Sequence, residues 1–83
     1  MDNINLSENI NPISDLISDD VYAILLKNGL IDKKSVRDFI IRRKFVSLRA
    51  NNINSTDAIE ALRNEYSYLQ FDTIRKIVYQ RLG

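Results

Sequence analysis

The chain contains no cysteine and no histidine. These two absences together remove disulfides, thiol nucleophiles, imidazole bases and the usual zinc ligands. The carboxylates that remain form no recognisable acid and base motif, and the sequence has no glycine-rich phosphate loop. We therefore expect a protein that is not an enzyme, with no catalytic residue, no metal site, no cofactor and no evident small-molecule substrate.

Long apolar runs are also missing. No run approaches the roughly 20 residues needed to cross a bilayer, and Met1-Asp2-Asn3 lacks the basic start of a signal peptide. These features predict a cytoplasmic protein with no membrane partner. With only two glycines and one proline available for turns, and no sustained alternation of apolar and polar residues, the sequence predicts no β-strand.

The residues that are present predict one small domain. The 83 residues are 45% hydrophobic and 28% charged, which is ordinary for a folded protein. The formal net charge of +1 conceals an asymmetry, since residues 1–32 hold six acidic and one basic side chain, a balance of −5. Residues 33–83 hold eleven basic and five acidic side chains, a balance of +6. The excess of positive charge in residues 33–83 predicts a surface that binds a polyanion. Basic residues that only keep the outer faces of helices solvated would give the same count.

Helix start and stop signals predict an all-α fold, a small four-helix domain with a C-terminal helix-turn-helix. The expected starts are Ser18, Asp32 and either Asn54 or Ser55, which can accept backbone hydrogen bonds. The expected stops are Asn28-Gly29 and Asn51-Asn52. We predict a flexible tail over residues 1–13 and a single helical domain over 14–83, with helices at about 19–28, 33–50, 56–66 and 71–82.

Apolar residues at steps of three and four predict the buried faces of three helices. In the first helix, the expected buried residues are Val21, Ile24 and Leu25, with Tyr22 or Leu26 as further candidates. The last two helices and the corner between them contribute Ala58, Ile59, Leu62, Tyr66, Leu69, Phe71, Ile74, Ile77 and Val78. Two such helices cover each other only partly, so a third helix is needed to complete the core.

The second helix is apolar over much of its circumference and is the expected central helix. Ile41, Phe45 and Leu48 lie in one sector, while Phe39 and Val46 fall in another. Two explanations of the outer sector stay open. Phe39 and Val46 form the contact of a homodimer, or they pack beneath the first helix and its loop.

The sequence from Val36 onward carries a pattern in three parts, a helix with a basic and aromatic end, a helix that ends in tyrosine, and a helix that begins with threonine. The segments are Ile40-Ile41-Arg42-Arg43-Lys44-Phe45, Leu62-Arg63-Asn64-Glu65-Tyr66 and Thr73-Ile74-Arg75-Lys76-Ile77. In this pattern the chain resembles the helix-turn-helix domains of the Mor transcription activator and Trp repressor type. Arg63 stands where that family has alanine, and Ser67-Tyr68 replace the turn glycine. The turn must therefore supply or avoid a positive φ without glycine.

The resemblance implies sequence-specific binding of double-stranded DNA by a transcription regulator that pairs as a homodimer. The last helix would lie in the major groove. The residues expected at base edges or beside them are Gln70, Thr73, Arg75, Lys76 and Gln80. The residues expected on phosphates are Arg42, Arg43, Lys44, Arg49, Arg63 and Arg81. Asp72 repels phosphate, and we expect it to stabilise the helix dipole instead.

Two other functions remain possible. A helical protein–protein interaction module would use the apolar excess of the central helix and would bind no DNA. Aromatic side chains could also stack on the bases of a single-stranded nucleic acid. The residues concerned are Tyr66, Tyr68, Phe71 and Tyr79, and their helical spacing favours core packing instead.

Overall fold

A computed structural model of the chain describes residues 11–80, and within this range the structure is all-helical. The helices are α1 (Asp19–Lys27), α2 (Lys33–Ala50), α3 (Ser55–Glu65) and α4 (Phe71–Tyr79). The predicted all-α class is confirmed for this part of the chain. The end of α4 differs from the predicted residue 82, because Gln80 already has an extended backbone with ψ 129°. No helix in the described range is long and apolar enough to cross a membrane.

The chain divides into two compact units, Met1–Val36 and Arg37–Gly83, where the sequence predicts one domain from residue 14 onward. The boundary falls in the first turn of α2. Residues 1–10, which make up most of the predicted tail, lie outside the described part, as do residues 81–83 with Arg81. Asn11 also belongs to the predicted tail, and it is buried. Its side-chain amide donates to the Ile17 carbonyl at 2.8 Å and to Asp19 at 3.2 Å.

Helix α1 has the predicted ends. The Ser18 hydroxyl accepts the Val21 N–H at 3.2 Å at the start. At the other end Gly29 has a φ of +70°. The N–H groups of Gly29 and Leu30 return to the carbonyls of Leu26 and Leu25, at 3.1 and 2.8 Å. This pair of bonds is a Schellman motif, which requires a residue that tolerates the left-handed region.

The predicted buried face of α1 is wrong for Val21 and Ile24. Both are exposed, and Ile24 is 59% accessible. The buried residue of this helix is Tyr22, while Leu25 and Leu26 are half-buried. A nine-residue helix presents one narrow stripe, and in α1 that stripe holds the aromatic side chain, which has the largest apolar area to remove from water.

The core of the second unit brings together α2, α3 and α4. Its buried members are Ile41, Phe45, Ala58, Ile59, Leu62, Ile74 and Ile77. Partly buried residues around them are Leu48, Ile53, Tyr66, Leu69, Phe71 and Val78. This matches the predicted core of the last two helices and one sector of α2. The third helix needed to cover α3 and α4 is therefore α2.

Local hydrogen bonds fix the link from α2 to α3. Asn52 adopts a φ of +67°, and the N–H groups of Asn52 and Ile53 bond to the carbonyls of Arg49 and Leu48 at 3.0 and 3.2 Å. Asparagine tolerates this left-handed conformation better than most residues. The Asn54 side chain then accepts the Asp57 N–H at 2.9 Å and caps α3. Of the two predicted caps, Asn54 is the one used.

The turn over residues 66–70 needs no glycine because none of its residues has a positive φ. The only described residues with positive φ are Gly29 and Asn52, and neither lies in this turn. The Leu69 N–H bonds to the Tyr66 carbonyl at 2.9 Å and tightens the corner. Leu69 and Phe71 pack against the core from the turn and from the start of α4. Helices α3 and α4 contact each other directly across this corner.

Candidate nucleic-acid interface

The solvent side of α4 carries most of the residues predicted to read bases. Thr73, Lys76 and Gln80 are all exposed, and their spacing of three and four puts them on one face. Gln70 is exposed at the N-cap position, and its side chain makes no capping hydrogen bond. No hydrogen bond or ion pair within the described residues engages these four side chains. We call Gln70, Thr73, Lys76 and Gln80 the polar face of α4.

Arg75 lies to one side of this face and is already paired. Its Nε is 3.3 Å from the Asp72 carboxylate, and both side chains are at least half exposed. An exposed pair one turn apart contributes little to stability and exchanges readily with other partners. Asp72 stands in the first turn of α4. The Asp72 carboxylate therefore interacts favourably with the positive end of the helix dipole. It also offsets the positive charge of Arg75.

Two further predicted phosphate ligands also hold carboxylates. The Lys44 ammonium on α2 forms a salt bridge with Glu65 at the end of α3, and this hydrogen bond raises the pKa of Lys44. The Arg63 guanidinium is 3.5 Å from Glu60 on the same helix. Both pairs are solvent-exposed. These two cations therefore offer less net positive charge to an outside anion than the sequence suggests.

Arg42 and Arg49 lie on the side of α2 that faces α4. The rings of Phe45 and Tyr79 meet edge to face with centroids 5.7 Å apart, which joins α2 to the end of α4. Arg42 precedes Phe45 by three residues and Arg49 follows it by four, so both stand on the same flank. Arg49 donates one hydrogen bond of 3.2 Å to the Ile53 carbonyl, which leaves four of its five N–H donors.

The outer side of α2, away from the core, holds the predicted dimer residues. Val46 is 66% exposed, and Phe39 is half-buried. The Arg43 guanidinium stands 5.3 Å from the Phe39 ring centroid. Residues 39, 43, 46 and 50 follow steps of four, three and four, which is the spacing of a helix–helix contact. We call Phe39, Arg43, Val46 and Ala50 the outer stripe of α2. The three consecutive cations 42–44 thus point in three directions.

The expectation of core packing is wrong for two of the four aromatic residues. Tyr66 and Phe71 are partly buried against the core, but Tyr68 is 69% exposed and Tyr79 is 56% exposed. Tyr68 stands in the turn, with the Arg37 guanidinium 5.9 Å from its ring centroid. Burial raises the pKa of the Tyr66 hydroxyl. Helical spacing could not reveal these exposures, because Tyr68 is not helical and Tyr79 is in the last position of α4.

A shallow groove between α2 and α3 was not predicted from the sequence. Its volume is about 230 Å³, and its lining is Lys44, Ser47, Leu48, Ala61, Leu62 and Glu65. The Lys44–Glu65 salt bridge crosses it at the surface. Only a contact between residues far apart in sequence creates this groove, so a local pattern cannot predict it. Among the residues described, no three carboxylates gather in a way that could hold a metal ion.

Comparison with known protein families, with curated proteins and with solved structures found no significant match to this chain. The resemblance to helix-turn-helix regulators therefore rests on the residues of the sequence itself. The features of the structure that bear on function are the polar face of α4 and the cations around it.

Proposed function

We propose that this chain binds double-stranded DNA, with α3, the turn at 66–70 and α4 acting as a helix-turn-helix. The observation that carries the proposal is the polar face of α4, whose side chains are exposed and have no partner among the described residues. A helix that enters the major groove needs such uncommitted donors and acceptors near its N-terminus. We propose that this DNA binding serves transcriptional regulation.

Each residue of the polar face suits a different part of the duplex. The Gln70 amide has a donor and an acceptor and can pair with adenine through both. Thr73 can donate to a phosphate or contact a thymine methyl group, and Lys76 can bind guanine or a phosphate. Gln80 follows the last residue of α4, where only a neighbouring base or the backbone is within reach. Sequence preference would then come mainly from Gln70 and Lys76.

Phosphate contacts are best assigned to Arg42 and Arg49, which lie on the flank of α2 beside α4 and hold no carboxylate. Arg75 would exchange Asp72 for a phosphate. Lys44 and Arg63 rank lower because Glu65 and Glu60 already neutralise them. Arg43 belongs to the outer stripe of α2, so we assign it no phosphate.

The test of DNA binding is a fluorescence anisotropy titration of a labelled random 20-base-pair duplex with the full chain. Non-specific binders reach about 10⁻⁴ to 10⁻⁶ M even without a preferred sequence. We expect a dissociation constant in or below this range at about 50 mM salt, weakening as salt increases. A dissociation constant no better than millimolar would contradict the proposal.

A second candidate function is a helical interaction module, and the exposed Val46 is the observation that favours it. We propose that the outer stripe of α2 is the contact of a homodimer, since paired copies can bind two DNA half-sites, which lie about 34 Å apart. If the chain binds no DNA, the same stripe becomes its main binding surface. The two functions are separable by experiment because they use different sides of α2.

A further inference from the structure

We propose that Tyr79 binds the DNA backbone, donating its hydroxyl to a phosphate held between Arg42 and Arg49. This inference rests on the proposed DNA binding and adds a residue that the sequence pattern had assigned to the core. It begins from the exposure of Tyr79, which leaves 56% of a large side chain accessible at the end of α4.

The ring of Tyr79 is held in place while its hydroxyl stays accessible. Its edge-to-face contact with Phe45 has an interplanar angle of 74°, and Phe45 itself is buried in the core. A ring fixed on a buried partner loses little further freedom when a ligand binds, which favours affinity. The Tyr79 hydroxyl makes no hydrogen bond within the described residues, so its donor is available to an outside acceptor.

The charges around Tyr79 point to an anion as that acceptor. Arg42 and Arg49 flank Phe45 on α2 at the level of the Tyr79 contact. Arg75 precedes Tyr79 by one turn of α4 and lies on the same side. The nearest acidic residue on this flank of α2 is Asp38, and Arg37 neutralises it at 2.8 Å. Asp72 offsets the charge of Arg75, so Arg42 and Arg49 are the two cations of this group that hold no carboxylate.

A DNA phosphate suits this group better than a free anion because of its position beside the polar face of α4. A helix seated in the major groove has a sugar–phosphate strand on each side, and proteins fix their register by hydrogen bonds to those strands. Tyrosine hydroxyls serve as such donors together with arginine and lysine. Tyr79 would hold the last turn of α4 against one strand while Lys76 faces the base edges.

The test uses the full chain, the same random duplex and the variant Tyr79→Phe, which removes the hydroxyl and keeps the ring on Phe45. We expect Tyr79→Phe to weaken binding about tenfold or more, the effect of losing one hydrogen bond to a charged acceptor. The slope of log affinity against log salt should not change, since the hydroxyl carries no charge. Arg42→Gln and Arg49→Gln should each lower that slope by about one.

Tyr68→Phe is the matched control, because it removes the same atom from an exposed tyrosine in the turn. Circular dichroism melting curves would verify that each variant folds as the wild type does. The inference is overturned if Tyr79→Phe binds within twofold of the wild type, or if Tyr68→Phe weakens binding equally. Absence of binding by the wild type itself would instead reject the proposed function, and this inference with it.

Discussion

Single polar side chains define the helix ends in this molecule. Ser18, Asp32 and Asn54 each accept a backbone N–H at the start of a helix. All three were predictable because a cap bonds to residues two or three positions away, and that distance is fixed by the helix itself. The exposure of Val21 and Tyr79 was not predictable in the same way. Burial depends on which distant segment lies opposite, and the local spacing carries no information about that.

The Asp32 carboxylate makes a testable acid-sensitive contact at the start of α2. The Ser35 hydroxyl donates to it at 2.6 Å and the Lys34 N–H at 3.1 Å. The hydrogen bond from the Ser35 side chain is the main reason that the pKa of Asp32 is lowered. A carboxylate with a lowered pKa in the folded chain stabilises it above the unfolded pKa, and this contribution is lost as pH falls through the folded pKa.

We expect Ser35→Ala to raise the pKa of Asp32 toward its ordinary value, measured by an NMR titration of the side-chain carboxyl carbon. Ser47→Ala is the control, since Ser47 is exposed on the same helix and far from this carboxylate along the chain. Asp32→Asn should keep the cap and abolish the loss of folding stability that protonation of Asp32 causes in acid. An Asp32 titration that does not respond to Ser35→Ala would contradict the assignment.

At the scale of secondary structure, α2 is the element with two apolar sides. Its inner side packs Ile41 and Phe45 against α3 and α4, and its outer stripe leaves Val46 exposed. The sequence predicted this division from the angular positions of the apolar residues. It could not predict that Lys44 would pair with Glu65, because that salt bridge joins residues 21 positions apart.

If the outer stripe is a dimer contact, sedimentation equilibrium of the full chain will show a dimer at high micromolar concentration. Val46→Asp should shift it to monomer, because a valine buried on association contributes about 1.5 kcal/mol or more, and the contact holds two copies. Leu30→Asp, which changes another exposed apolar residue, should have no effect. A monomer at every concentration would contradict the dimer.

At the scale of the whole molecule, charge is distributed unevenly along the chain. Residues 33–83 carry the balance of +6, but the cations that the structure describes in residues 33–80 differ in their availability to a ligand. Lys44, Arg63 and Arg75 hold carboxylates, whereas Lys76 makes no ion pair within the described residues. The sequence gives the number of charges, while their availability depends on contacts made on folding. For this reason the candidate interface could be predicted in part only.

The most direct test of the central claim compares Lys76→Ala with Lys44→Ala in duplex DNA binding across a series of salt concentrations. Both variants remove one positive charge, so long-range attraction changes equally and only the location differs. We predict that Lys76→Ala weakens binding several-fold and lowers the salt slope by about one, while Lys44→Ala changes both much less. Equal effects, or a larger effect of Lys44→Ala, would contradict the assignment of DNA binding to α4.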